Sequence, residues 1–259
     1  MKTLLMYDRV VPLNRETHKR LRVAPGATGL GFARETNSML MAASELALAA
    51  LDYPCVFVET AHGHALVAIV GLRDKENLLI DAAGQWAPHC YVPAFVRRYP
   101  FVLAEQTGSD ELTLCVDEAF SGLSQEHGEA VFDEQGQDTP YMQQVQQFLL
   151  TFHQDMLTTA TFTNRLAELG LLVARTIELD VNGERQTLQG FKIIDEDKLR
   201  AIDPETLQSL FGAGYLGWAY AHLMSLNNTR RLGQRLAEHM AAAQKAPTVM
   251  GSETPTTLQ

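Results

Sequence analysis

Apolar residues in the first half of the chain come in short runs broken by turn signals. Residues 10–13, 21–23, 29–33, 55–59, 65–72, 78–81, 101–105 and 112–117 read as extended segments. Pro25-Gly26, His62-Gly63-His64 and Thr107-Gly108-Ser109-Asp110 supply turns between them. Connections this short predict antiparallel neighbours, because parallel strands need long crossovers. Helical spacing interrupts the pattern at 38–51, where Met39, Ala42, Ala43, Leu46 and Ala50 share a face and alanine favours the helix. Tyr53-Pro54 ends that helix, since the residue before a proline leaves the helical region. A shorter helix is predicted over 92–98, with Pro93 at its first position and Pro100 closing it.

Residues 121–137 are polar and glycine-punctuated, and mark a boundary. Beyond it Asp138 caps a helix with Pro140 in its first turn and Met142, Val145, Phe148, Leu149, Phe152 and Met156 at helical spacing. Phe162, Leu166 and Leu169 predict a second helix, ended by Gly170. Residues 177–181 and 187–194 form a hairpin around Asn182-Gly183, a pair suited to a two-residue turn. Asp195 and Asp203-Pro204 each cap a short helix. The apolar run 210–226, interrupted by Gly212, Gly214 and Gly217, reads as a buried helix. Residues 229–244 form a last one, with Leu232, Leu236 and Met240 on one side. Residues 246–259 lack apolar periodicity and read as a disordered tail. The expected fold is α+β. Residues 1–136 form a mainly antiparallel sheet with packed helix, and 137–245 a helix-rich part with one β-hairpin, packed onto the first as one unit.

Composition changes this picture little. Of 259 residues, 46% are hydrophobic and 20% charged, which suits a globular chain with a sizeable core. Twenty-one basic residues against 31 acidic ones give a net charge of -10, which disfavours a general nucleic-acid or anionic-membrane surface but not a local basic site. Three cysteines without a short-spaced pair, Cys55, Cys90 and Cys115, argue against a disulfide framework and a structural zinc site. The apolar start breaks at Tyr7-Asp8-Arg9, unlike a signal peptide, and no stretch has the length of a membrane span. A cytoplasmic location is the expectation.

The chemistry-bearing residues concentrate in 71–100. His62 and His64 would share a face on a strand, as metal ligands can, but no third ligand is visible, and two exposed histidines in a turn need no metal. Cys90 beside His89 is a conceivable thiol and base, although sequence neighbours point apart. Asp117-Glu118 reads as a solvated acidic step, and His222 and Tyr220 as satisfied core residues. Arg97-Arg98 stands out, because two guanidiniums lie next to Phe95, Tyr99 and Phe101. An arginine so placed is paired with a carboxylate or aimed at an anionic ligand. Asp74, Glu76 and Asp81 are the candidate internal partners. Trp86 and Tyr91 could wall a pocket beside the arginines.

The segments Val10-Val11-Pro12-Leu13-Asn14 with His18, Gly71-Leu72-Arg73 with Glu76-Asn77-Leu78, Asp81 with Gly84-Gln85-Trp86, and above all Tyr91-Val92-Pro93-Ala94-Phe95-Val96-Arg97-Arg98-Tyr99-Pro100-Phe101 resemble the SapC-like family of bacterial proteins. Gly190-Phe191, Asp195-Glu196, Lys198-Leu199 and Tyr220-Ala221-His222 extend the resemblance. The family takes its name from an association with paracrystalline surface layers and brings no catalytic residues. Its members tend to be encoded beside flavin-dependent halogenase-like and cupin-like proteins, which implies an intracellular accessory role. Three readings result. The first is a soluble accessory or binding protein recognising an anionic or peptide ligand near Arg97, Arg98, Trp86, Tyr91, Asp81 and His18. The second is an enzyme using that pocket, with Asp81, His18 or His89 as acid or base. The third is a surface-layer structural protein that reaches the cell surface by an unrecognised export route. A protein or peptide partner, an anionic small molecule, self-association into a homo-oligomer and the identity of any cofactor all stay open.

Overall fold

The computed structural model describes residues 6–24, 29–105 and 111–245. Its first half runs β1 (Val10–Pro12), β2 (Arg22–Val23), β3 (Ser38–Leu40), α1 (Leu46–Ala49), β4 (Cys55–Thr60), β5 (Gly63–Ile69), α2 (Ala94–Arg97), β6 (Phe101–Glu105), β7 (Leu112–Asp117), β8 (Leu123–Ser124) and β9 (Glu129–Ala130). The second half runs α3 (Pro140–Glu168), β10 (Leu172–Val181), β11 (Glu184–Ile194), α4 (Glu196–Arg200), α5 (Pro204–Gly212), α6 (Tyr215–Ser225) and α7 (Thr229–Lys245). Every strand pairing is antiparallel. The sheets have the orders β1-β7-β6, β8-β2-β9 and β10-β11-β4-β5-β3, so the fold is α+β. Among the described residues no helix is long and apolar enough to cross a membrane.

Helix α3 explains how the sheets are held together. Thr139 caps it, accepting from the Met142 N–H at 3.3 Å, and Pro140 opens its first turn. Its 29 residues span about 44 Å at roughly 1.5 Å per residue. Phe152, Phe162 and Leu166 enter the larger apolar cluster with Met39, Phe57 and Leu66 of the five-stranded sheet. Met142 and Leu149 enter a second cluster with Val23, Phe101, Val116 and Val131. Phe148 packs against both clusters. Each such buried side chain contributes roughly 1.5–3 kcal/mol from area alone.

Several segments depart from the sequence expectation. Residues 38–51 are not one helix: Met39 pairs with Ala68 on the sheet edge, a 3-10 turn comes next at Ala43–Glu45, and only Leu46–Ala49 is helical. Burial of Met39 and Met41 on the sheet outweighs alanine's helix preference. Residues 31–33 form a 3-10 turn, and 78–81 contribute only a bridge between Ile80 and Trp86. The two helices expected across 138–170 are one, capped by Thr139 rather than Asp138. Its threonines at 158, 159 and 161 do not break it, because each hydroxyl donates to the carbonyl four residues earlier. The run 210–226 is split by Gly214, at φ 78°, into α5 and α6, and it leaves Phe211 and Met224 well exposed. The expected hairpin is present and longer than its apolar pattern suggested, turning at Asn182 and Gly183, both with positive φ. Its second strand joins β4 through Lys192 and Phe57. The tail at 246–259 and the turns at Pro25-Gly26 and 107–110 lie outside the described residues.

Candidate functional site

The stretch 71–100 is a long connection strapped to the rest by backbone and side-chain bonds. It begins at Gly71, where a Cβ would stand 1.9 Å from the Glu76 carbonyl oxygen, so the loop closes on itself only with glycine there. Asn77 is buried; its amide donates to the Ala33 carbonyl at 3.0 Å and its oxygen accepts from the Leu79 N–H at 2.9 Å. Asp81 is exposed and accepts from the Gln85 N–H at 2.8 Å, closing the turn around Gly84. The Trp86 indole donates to the Tyr53 hydroxyl at 3.1 Å, and that hydroxyl donates to the Tyr91 carbonyl. Asp52 accepts from the Tyr91 N–H at 2.8 Å. Trp86 therefore pins the loop to the end of α1.

Glu45 anchors the chain between Tyr91 and α2. It is 6% exposed, yet three protein donors serve its carboxylate: the Ala42 N–H at 2.9 Å, the Ala94 N–H at 2.7 Å and the Tyr91 hydroxyl at 2.8 Å. The Ala94 bond satisfies the start of α2, a single turn that begins one residue after Pro93. Burial, and after it the charge of Glu45, push the Tyr91 phenol up to about 12, so it stays a donor to Glu45.

From α2 the two arginines diverge. Arg97 is exposed. Its Nε donates to the Val92 carbonyl at 2.9 Å, its Nη2 to the Tyr91 hydroxyl at 3.1 Å, and its guanidinium lies over the rings of Tyr91 and Phe148 at 5.7 and 5.2 Å. Arg98 turns inward. Its guanidinium lies 4.3 Å from the Phe95 ring centre, 5.4 Å from that of Phe152 and 5.6 Å from that of Tyr7. Its Nε is buried without a hydrogen-bond partner, and burial pushes the guanidinium pKa down. The expected pairing with Asp74, Glu76 or Asp81 does not occur: among the described residues no carboxylate forms an ion pair with Arg98. Aromatic faces take that place, as a delocalised guanidinium permits.

Two pockets meet at this pair. One, of about 240 Å³, is mainly apolar and is lined by both arginines together with Phe32, Tyr99, Phe120 and Tyr141. The other, of about 210 Å³, is lined by Arg97, Tyr91, Glu45, Ser44, Asp155 and Phe152. Arg97 and Phe148 line both. Behind the first pocket the Tyr99 ring stacks on Phe32 at 4.0 Å, and its hydroxyl donates to Asp117 at 3.2 Å. Asp117 is fully buried rather than solvated. Burial pushes its carboxyl up, but the N–H groups of Asp8, Arg9 and Ala119 and the Tyr99 hydroxyl hold it below the ordinary range.

The structure thus brings Arg97 and Tyr91 together, with Arg98 on the adjoining pocket, links Trp86 to Tyr91 only through Tyr53, and places Asp81, His18 and His89 away from both pockets. Trp86 and Asp81 line neither pocket. His18 lies at Asn14 and Glu118: its Nδ1 accepts from the Asn14 N–H at 2.9 Å, which leaves Nε2 to donate to Glu118 at 3.3 Å. His89 is exposed at φ 62°. Cys90 meets Arg235 at 3.1 Å, and burial nonetheless pushes its thiol up, the opposite of an activated nucleophile. His64 meets Lys192 at 3.1 Å, a cation and not a metal partner. Among the described residues no group of three or more histidine, cysteine, aspartate or glutamate side chains is placed to hold a metal. His222 is a buried core residue accepting from the Ile194 N–H at 3.1 Å, whereas Tyr220 is 43% exposed.

Sequence reasoning missed Glu45, Tyr7, Phe148 and Asp155. Glu45 is the single charged residue in 38–51, a signal that a helix expectation turns into an ordinary solvent-facing glutamate. No curated protein and no solved structure compared with the chain matches it. A family model described as SapC does match, over residues 13–232, a span that takes in the strap, both arginines and nearly all of the fold. The chain belongs to the SapC family.

Proposed function

We propose that this protein is a binding protein whose ligand is anionic at one end and apolar at the other. The anionic end lies between Arg97 and Arg98, and the apolar body enters the aromatic pocket that both line. The observation that carries the reading is Arg98: its Nε is buried without a hydrogen-bond partner, and no carboxylate among the described residues pairs with its guanidinium, which lies on the wall of a mainly apolar pocket. A positive charge left uncompensated favours a negative group nearby, most of all where little water screens it. The two pockets together fall in the range of small-molecule sites, roughly 300–1,000 Å³. This reading suits the accessory role implied by the family resemblance, in which the protein serves a flavin-dependent halogenase-like or cupin-like enzyme.

Calorimetric titration with 3-phenylpropionate and its neutral amide tests it. The acid is expected to bind roughly tenfold or more tightly than the amide, a difference of about 1.4 kcal/mol. Arg97→Gln and Arg98→Met should each remove that preference while leaving a folded protein. Equal affinity for acid and amide, or no binding of either, overturns the reading.

A further inference from the structure

Arg97 and Asp155 line the same 210 Å³ pocket, yet they form no ion pair. Asp155 comes from the middle of α3, and its Oδ2 accepts from the Ser44 hydroxyl at 2.8 Å. Its Oδ1 has no partner among the described residues. Arg97 commits Nε to Val92 and Nη2 to Tyr91, while Nη1 has no acceptor among the described residues. Opposite charges on one small pocket gain from closing on each other where their side chains can reach. Here the Val92 carbonyl, the Tyr91 hydroxyl and the ring of Phe148 hold Arg97 back, and Ser44 holds Asp155. The pocket therefore keeps a positive and a negative group open at once. Glu45, the third charge on this wall, is already served by three donors.

A simple anion in this pocket would meet Arg97 favourably and Asp155 unfavourably. A simple cation would meet the reverse. A group that carries both charges is matched by both side chains. We propose that the pocket takes the zwitterionic head of a free α-amino acid with an apolar side chain, carboxylate toward Arg97 and ammonium toward Asp155. The side chain runs along Phe148, which borders both pockets. A volume below that of drug-sized sites suits a head group of this size. The inference rests on the binding reading and narrows its ligand.

The test titrates L-phenylalanine, 3-phenylpropionate and 2-phenylethylamine, one skeleton with both charges or either alone, into the wild-type protein and Asp155→Asn. Asparagine retains an oxygen for Ser44, and thermal unfolding checks that the variant is folded. L-Phenylalanine is expected to bind roughly tenfold more tightly than either single-charge analogue. Asp155→Asn should reduce it to the level of 3-phenylpropionate without weakening 3-phenylpropionate itself. If 3-phenylpropionate binds the wild-type protein as tightly as L-phenylalanine, or the preference survives in Asp155→Asn, the zwitterion proposal fails and the binding reading stands. If none of the three binds, both fail. Should the variant not fold, the wild-type comparison alone still decides between zwitterion and simple anion.

Discussion

The Tyr91 hydroxyl donates to Glu45 Oε1 at 2.8 Å and accepts from Arg97 Nη2 at 3.1 Å, so one phenol joins a buried carboxylate to an exposed guanidinium. Glu45 and Arg97 are 52 positions apart in the sequence, and this single oxygen connects them. Tyr91→Phe leaves Glu45 with its two N–H donors and Arg97 with its Val92 bond. A hydrogen bond to a charged group contributes roughly 1.5–3 kcal/mol. The variant is therefore expected to lose about 2 kcal/mol in urea unfolding with an unchanged denaturant slope. An unaltered midpoint would show that the bridge adds nothing to stability.

Arg98 supports an opposite expectation. Its charge is desolvated among Tyr7, Phe95 and Phe152 without a carboxylate to compensate it, and its pKa is lowered accordingly. Replacing a poorly compensated buried charge by an apolar side chain of similar length is often neutral or stabilising, by up to roughly 1–4 kcal/mol. Arg98→Met should thus unfold at the same temperature as the wild-type protein or a higher one. A clear fall in melting temperature would mean that the stacking on the three rings outweighs the desolvation.

Asp117 ties the N-terminal segment to the end of β7. Its folded-state pKa lies below the ordinary carboxylate value, near 3.9. In acid the unfolded chain therefore binds the proton first. The stabilisation is complete above about pH 4 and disappears as pH falls through the depressed value. Asp117→Asn should cost about 1–3 kcal/mol at neutral pH, because an amide cannot accept all the N–H groups that the carboxylate does. Unfolding measured from pH 3 to pH 7 should show the gap between variant and wild type closing at the acid end. A gap that stays constant with pH would refute the charge-based account.

His222 produces a pH effect at higher values. Its Nε2 accepts from Ile194, its Nδ1 is buried without a partner, and burial pushes its pKa down to about 3, with the Cys55 backbone acting in the other direction. Between about pH 6.5 and 3 the unfolded chain is protonated here and the folded chain is not, so stability falls as pH falls. The slope is about 1.4 kcal/mol per pH unit, or roughly 2 kcal/mol from pH 6.5 to 5. His64, also lowered by burial, acts in the same direction. The difference between wild type and His222→Gln, which keeps an acceptor for Ile194, isolates the buried ring. Parallel pH profiles for the two proteins would sink this assignment.

The parts of the fold that the sequence made legible are those whose signals are local. The Asn182-Gly183 turn, the caps at Asp195 and Asp203 and the paired strands around residue 62 depend on neighbours within a few positions. Residues 38–51 did not read correctly, because pairing with β5 is decided about 30 positions away. At the site, Arg97 and Arg98 were visible as a cluster with aromatics. Their opposite fates were not, since Phe148 and Phe152 come from a helix some 50 residues later. Asp155 reads in sequence as one more polar position on a long helix, and only the arrival of Ser44 and Arg97 on the same pocket gives it meaning.

The way α3 and the hairpin engage the first half has a consequence for any attempt to divide the chain. The polar segment at 121–137 invites a cut, but neither product would hold a complete core. The N-terminal piece would lose Met142, Leu149, Phe152 and Phe162 from both apolar clusters and the strand that borders β4. The C-terminal piece would carry those side chains uncovered into water. The two pieces are expected to behave as complementing fragments, each ordered only when the other is mixed in; a 1–136 piece that unfolds cooperatively on its own would refute this.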